Sequence, residues 1–146
     1  MLQAVFQRLD FRRLGEADLV AASDSVCTGL QLVNFLQDVP RDLELGRIYL
    51  PAEDRHAFGD PPLDRPNEDL RALLRFEARR AAELLSAGEV LRDGIGGRLG
   101  RAVALFARGG LAALDALESA GWDIFSRRPR PSRARLAREA ALVLVR

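Results

Sequence analysis

Ser23-Asp24-Ser25-Val26-Cys27-Thr28-Gly29-Leu30-Gln31-Leu32-Val33-Asn34-Phe35-Leu36-Gln37-Asp38-Val39-Pro40-Arg41-Asp42 is the stretch from which the rest of the chain can be read. Taken as a helix advancing about 100° per residue, it places Ser23, Cys27, Gln31, Asn34 and Asp38 in one sector, with Asp42 at its edge. Leu32, Phe35, Leu36, Val39 and Leu43 fall on the opposite side, while Leu30 interrupts the polar sector. A solvated helix face normally carries long Lys, Arg or Glu side chains, whereas this stripe is made of short amides and carboxylates. Asn34, Asp38 and Asp42 follow one another four residues apart, so their oxygens stack at roughly 6 Å intervals. Such oxygens suit a hard cation such as Mg²⁺, with the helix facing the interior of a bundle, where sites of this kind are built. Two aspartates four apart are equally what an ordinary surface helix shows, and both readings stand at this point. Pro40 removes one helical hydrogen bond and predicts a kink just before Asp42.

Outward from this helix the pattern stays helical. Leu2, Val5, Phe6 and Leu9 recur at helical spacing before Gly15 interrupts them. The long helix should run from about Ala17 or Asp18 to Leu45, with Gly46 as its stop. Arg47-Ile48-Tyr49-Leu50-Pro51 reads as extended because the residue before a proline is pushed out of the helical region. Residues 54–66, punctuated by Gly59, Pro61, Pro62 and Pro66, read as a loop. A helix from about Pro66 or Asn67 to Gly88 should bury Leu70, Leu73, Leu74, Ala81, Leu84 and Leu85. A glycine break at Gly94, Gly96 and Gly97 precedes a helix over about 98–119, within which Gly109-Gly110 marks a bend or a close packing. Pro129 and Pro131 then separate a Gly121-Trp122-Asp123 turn from a last helix over about 132–145. No segment alternates as a strand would. The fold class is all-α.

Composition narrows the function classes. The chain has 146 residues, enough for one compact domain, with 48% hydrophobic and 29% charged residues. Its 22 basic residues are all Arg, against 21 acidic ones, a net charge of +1. Binding to a nucleic-acid backbone calls for a larger positive excess, so no nucleic-acid partner is expected. A single cysteine, Cys27, leaves no internal disulfide and fits a reducing compartment. No apolar run approaches the roughly 20 residues of a membrane span, and charges interrupt residues 1–13 where a signal peptide would be apolar. These features predict a soluble, intracellular, single-domain protein. Cys27 reads as a small buried filler, Trp122 as a packing residue, and the lone His56 as a loop residue without a metal partner. Arg47 fits either a diphosphate oxygen or a salt bridge to Asp42 or Glu44, and Tyr49 fits a core aromatic with a wet hydroxyl.

The quoted stretch resembles the second aspartate-rich helix of the squalene/phytoene synthases. Gly46-Arg47-Ile48-Tyr49-Leu50-Pro51 is similar to their G-R-x-Y-x-P segment, and Gly121-Trp122-Asp123-Ile124-Phe125 to their late G-Y-D-V-F stretch. The Asn-Phe-x-Gln-Asp-Val wording looks closest to the hydroxysqualene synthases of bacterial hopanoid pathways, since other branches more often carry Arg where Gln37 stands. The resemblance implies an all-α isoprenoid-synthase bundle in which two aspartate-rich helices bind Mg²⁺ bridged to a prenyl diphosphate. It makes Asp38 and Asp42 catalytic metal ligands, with Asn34 beside them at the metal. Gln31, Asn34, Arg47 and Tyr49 become substrate-binding residues. For the hydroxysqualene branch the substrate is presqualene diphosphate, and water captures the rearranged cation.

Family members are roughly twice this length, and nothing before Asp18 resembles their first aspartate-rich motif. The acidic residue that commonly precedes the second Asp of the motif is Arg41 here. Residues 1–146 are therefore expected to form one partial all-α domain, the C-terminal half of the bundle, inactive in isolation. Three readings follow: a C-terminal portion of a longer synthase, a split enzyme whose missing helices come from a separate chain, or a non-catalytic helical interaction module. A phytoene or squalene synthase portion is the alternative within the family. The expected location is cytoplasmic, either free or peripheral to the inner face of the membrane, because products of this family are oily.

Overall fold

A computed structural model describes residues 15–126 and 128–145. The expected helix over Leu2–Leu9 lies outside the described residues. Six helices follow: α1 (Glu16–Glu44), α2 (Ala52–Ala57), α3 (Glu68–Leu85), α4 (Ala87–Ile95), α5 (Gly97–Ser119) and α6 (Arg133–Val145). No strand occurs among the described residues.

α1 starts where the Gly15 N–H donates to the Asp18 carboxylate at 2.9 Å, and it runs unbroken through Pro40. It stops at Leu45, after which Gly46 takes the left-handed conformation (φ +69°) that a side chain would oppose. One side of α1 buries Val26, Val33, Leu36 and Val39 against α3, α4 and α5. An 18-residue window of α1 reaches a mean hydropathy of 1.3, so by length and composition this helix could cross a membrane, contrary to the sequence reading. Only 28% of that window is buried, on the side where α1 packs along three other helices.

α3 is capped by Asn67, whose Oδ1 accepts from the Leu70 N–H at 2.8 Å while Nδ2 donates to the carbonyls of Pro62 and Arg65. Of the apolar residues expected to be buried there, only Leu84 remains half-exposed. Two elements depart from the sequence reading. Residues 52–57, read partly as loop, form the short helix α2, because Pro51 serves as N-cap and Glu53 and Asp54 favour the first turn. Residues 87–95 form α4, which contains Gly94, so the chain breaks only at Gly96 (φ +68°).

α4 tolerates a glycine at 88 because α5 lies directly against it. A Cβ built on Gly88 would sit 2.5 Å from the Ala107 Cβ. α6 packs on α5 through buried Val143 and through charges. The buried Glu139 carboxylate meets Arg108 at 3.0 Å and Arg135 at 3.1 Å, while Arg108 also reaches Glu89 and Arg135 also pairs with Asp115. That arrangement satisfies a carboxylate taken out of water.

The glycines give a direct check on this packing. Gly88→Ala must push α4 from α5 and should lower the melting temperature by several degrees, a cost of about 1–3 kcal/mol. Gly109 faces open space within α5. Gly109→Ala should therefore stabilise by roughly 0.5–1 kcal/mol. Thermal denaturation followed by circular dichroism reads both signs.

Candidate functional site

The polar stripe of α1 does not lie in the interior of the described bundle. Ser23, Cys27, Gln31 and Asn34 are exposed, and Asp38 and Asp42 are half-buried. Cys27 is thus not the buried filler its composition implied: the apolar side of α1 faces α3 and α5, and the stripe faces away from them. Its lower end is where other elements converge. After α1 the chain doubles back, the Arg47 N–H donating to the Asp42 carbonyl at 2.8 Å. The fold-back lays the Tyr49 ring on Phe35, with centroids 4.4 Å apart and planes within 7°. Tyr49 is therefore not a core aromatic: one face is stacked and 44% of the residue remains exposed. Asp42, Arg47, Tyr49, Phe35 and Leu63 together line a shallow crevice. Arg47 is exposed and forms no ion pair with Asp42 or Glu44 among the described residues.

The second convergence comes from the far end of the chain. Gly121 and Trp122 both adopt left-handed backbone (φ +61°), turning the chain sharply after α5. Asp123 then locks the bend. Its Oδ1 accepts from the N–H groups of Phe125 and Ser126 at 3.0 Å, and Oδ2 accepts from the Ser126 hydroxyl. The Ser126 hydroxyl bond, joined by the two backbone bonds, holds the Asp123 carboxyl below its ordinary range. Ile124 is buried, Trp122 packs against the core as expected, and the following residues run back across α1. There Gln37 donates to the Pro129 carbonyl at 2.8 Å, and Arg128 meets Asp38 at 3.0 Å.

A third cluster secures the crevice wall. α2, which continues from the Arg47–Tyr49 fold-back, is pinned to α3 by Asp54, whose carboxylate accepts from Arg80 at 2.9 Å. The same guanidinium nitrogen meets Glu77 at 3.2 Å and 3.3 Å. Glu77 is only 1% exposed. Burial, then the hydrogen bond and charge of Asp54, push its carboxyl up to about 7, against the opposing pull of Arg80. Outside these clusters, His56, which lies in α2 rather than in a loop, pairs locally with Asp60 at 2.5 Å.

A model of squalene/phytoene synthase matches residues 3–135. The chain belongs to the squalene/phytoene synthase family. Among similar proteins, the phytoene synthase of Mycobacterium tuberculosis is 44% identical over 66 residues, 40% of this chain and 22% of its own length. The 15-cis-phytoene synthase of Synechocystis is 33% identical over 124 residues, 77% of this chain and 35% of the relative. The hydroxysqualene synthase of Rhodopseudomonas palustris is 40% identical over 75 residues, 48% of this chain and 26% of the relative. The chain thus spans about a fifth to a third of the length of these relatives, the matched shares being 22%, 35% and 26%. No solved structure gives a significant match.

Within this squalene/phytoene synthase chain, the structure gathers Asp42, Arg47 and Tyr49 at the crevice and leaves Asp38 beside them, paired to Arg128. Gln31 and Asn34 stand further up the same helix, exposed and away from the crevice lining. Among the described residues no three acidic, His or Cys side chains form a self-sufficient metal site. Asp38, Asp42 and Asn34 carry the hard oxygens that Mg²⁺ prefers, an ion that ordinarily takes one or two carboxylates and completes its shell with water and phosphate. Arg128, Phe35, Gln37 and the Asp54–Glu77–Arg80 cluster were not singled out as site residues by sequence. For Glu77 a signal existed: it lies on the apolar stripe of Leu70, Leu73, Leu74 and Ala81, where a carboxylate must be buried.

The Glu77 carboxyl makes a pH prediction. A group whose pKa is raised on folding gives its full stability below its unfolded value near 4.5 and loses it as pH rises through about 7. The wild type should therefore lose stability relative to Glu77→Gln between those two values, by no more than about 1.4 kcal/mol per pH unit. Urea denaturation at pH 4.5, 6 and 8 would measure the difference; parallel curves for the two proteins would contradict it.

Proposed function

We propose that this chain is the carboxylate-bearing second half of a prenyl diphosphate-processing bundle, of the hydroxysqualene-forming type. The observation that carries the reading is the convergence at the lower end of α1. Asp38 and Asp42 lie one turn apart there, and the fold-back brings Arg47 and Tyr49 beside Asp42.

In this reading Asp38 and Asp42, with Asn34 one turn above, hold Mg²⁺. When bound, the metal supplies positive charge to the departing diphosphate. Arg47, exposed and unpaired among the described residues, contributes a guanidinium fork for diphosphate oxygens. Gln31 and Asn34 offer amides along the same face for orienting the substrate. Tyr49, stiffened by its stack on Phe35, presents its hydroxyl and free ring face at the crevice. In the reaction the diphosphate C–O bond of presqualene diphosphate breaks. Water then bonds to the rearranged carbon and gives up a proton, leaving hydroxysqualene and diphosphate. Gln37, in place of the Arg more often found in other branches, supports the hydroxysqualene assignment, as does the likeness to the Rhodopseudomonas palustris protein. The phytoene-forming reading is favoured by a different observation, the likeness to the Synechocystis protein over 77% of this chain.

The remaining helices come from another segment or a separate chain. That supply is consistent with the exposed face of α1 and with the outward Leu99 and Phe106 of α5, both more than half exposed. Combining this chain with an N-terminal half-bundle that carries a first aspartate-rich helix should restore Mg²⁺-dependent consumption of presqualene diphosphate. Asp38→Asn should lower that turnover about 100-fold. Phytoene from geranylgeranyl diphosphate, and no hydroxysqualene, would transfer the assignment to the phytoene branch; turnover of neither substrate would sink the reading.

A further inference from the structure

Two contacts on adjacent residues tie the segment after α5 to α1 across about ninety positions of sequence, separations of 92 and 90. Their characters differ. Gln37 is 8% exposed and Pro129 is buried, so the 2.8 Å bond between them is shielded from water. A buried primary amide is tolerated only while its donor is satisfied, so this bond fixes the register of the returning segment against the helix. The neighbouring pair is open to solvent, with the Asp38 side chain 21% and the Arg128 side chain 39% exposed. Half-exposed pairs of this kind are weak and open readily, their worth being about a fivefold equilibrium preference at most. A sealed anchor thus places a breakable ion pair on the carboxylate assigned above to the metal.

We propose that Arg128 is a built-in counter-ion that occupies Asp38 until a divalent cation replaces it, and that Gln37 is the positioning residue that holds it there. The inference rests on the reading of Asp38 as a metal-binding carboxylate. While the pair is closed, Asp38 offers a cation only the fraction of time it stands free. Apparent affinity falls in proportion to that fraction. Nothing covalent changes; one cation exchanges for another on the Asp38 oxygens, and the guanidinium is released to solvent or to an anion. The other side chain that α1 contributes nearby, Asp42, carries no guanidinium of its own among the described residues.

Mn²⁺ binding, read by electron paramagnetic resonance at low ionic strength without substrate, tests the exchange. Arg128→Gln should bind Mn²⁺ about three- to fivefold more tightly than the wild type, in line with the strength of an exposed pair. Gln37→Leu keeps every charge but frees the segment, and should tighten binding in the same direction. Arg130→Gln removes an equal charge from an exposed position two residues further on. It should leave affinity near the wild-type value, which separates the specific pair from a general change in field. Circular dichroism establishes that each variant is folded, and Arg128→Gln carries the test alone if Gln37→Leu is not. Binding that depends on Asp38 yet is unchanged in Arg128→Gln, or tightened equally in Arg130→Gln, overturns the counter-ion while leaving the metal reading intact. Absence of Mn²⁺ binding in every protein overturns the counter-ion, and binding undiminished in Asp38→Asn overturns the metal reading and the counter-ion with it.

Discussion

Leu85 holds the described structure together. Its buried side chain lies between two glycines: a Cβ on Gly29 of α1 would come 2.9 Å from its Cγ, and one on Gly110 of α5 would come 2.8 Å from its Cδ1. Three helices therefore meet on one leucine, α3 supplying the knob and α1 and α5 the sockets. Interior packing is dense enough that such a contact sets the distance between helices to a few tenths of an ångström. With α1 pinned on that side, its polar stripe must face the other way. The candidate site inherits its orientation from an apolar contact well removed from any of its own residues.

The site is then assembled by elements that return to α1 rather than by α1 itself. The fold-back after Gly46 sets Tyr49 on Phe35 and leaves Arg47 near Asp42. The Asp123-locked turn sends Arg128 to Asp38, with Gln37 as anchor. Behind the fold-back, Asp54 and Glu77 share the Arg80 guanidinium and keep α2 on α3. The C-terminal return is anchored by one buried polar contact, Gln37 on the Pro129 carbonyl, and a buried polar group tolerates few alternative partners. Local precision is achieved with short segments and little added core.

Much of this was legible beforehand, and for definite reasons. The ends of α1, α5 and α6 fell within a residue or two of expectation because glycine and proline punctuate them and the apolar period is strong between. Gly109-Gly110 was readable only as bend or close contact; the structure divides the pair, with Gly110 packed on Leu85 and Leu30 and Gly109 open. α2 and α4 were not legible. One is only six residues long, and the other, although amphipathic, contains two glycines that read as a break rather than as part of a helix. Cys27 was read as an interior residue on type alone, yet it lies on the face that the Leu85 contact turns outward.

The sequence by itself determined the all-α class, the helix carrying Gln31, Asn34, Asp38 and Asp42 on one face, and the family, because periodicity and motif spacing are local properties of a chain. Only the tertiary structure decided that this face lies outside the described core, that Tyr49 stacks on Phe35, and that Arg128 sits on Asp38 through Gln37. Those facts join residues as many as 92 positions apart, and no local pattern encodes such a meeting. It follows from which surfaces are left once the apolar ones have packed.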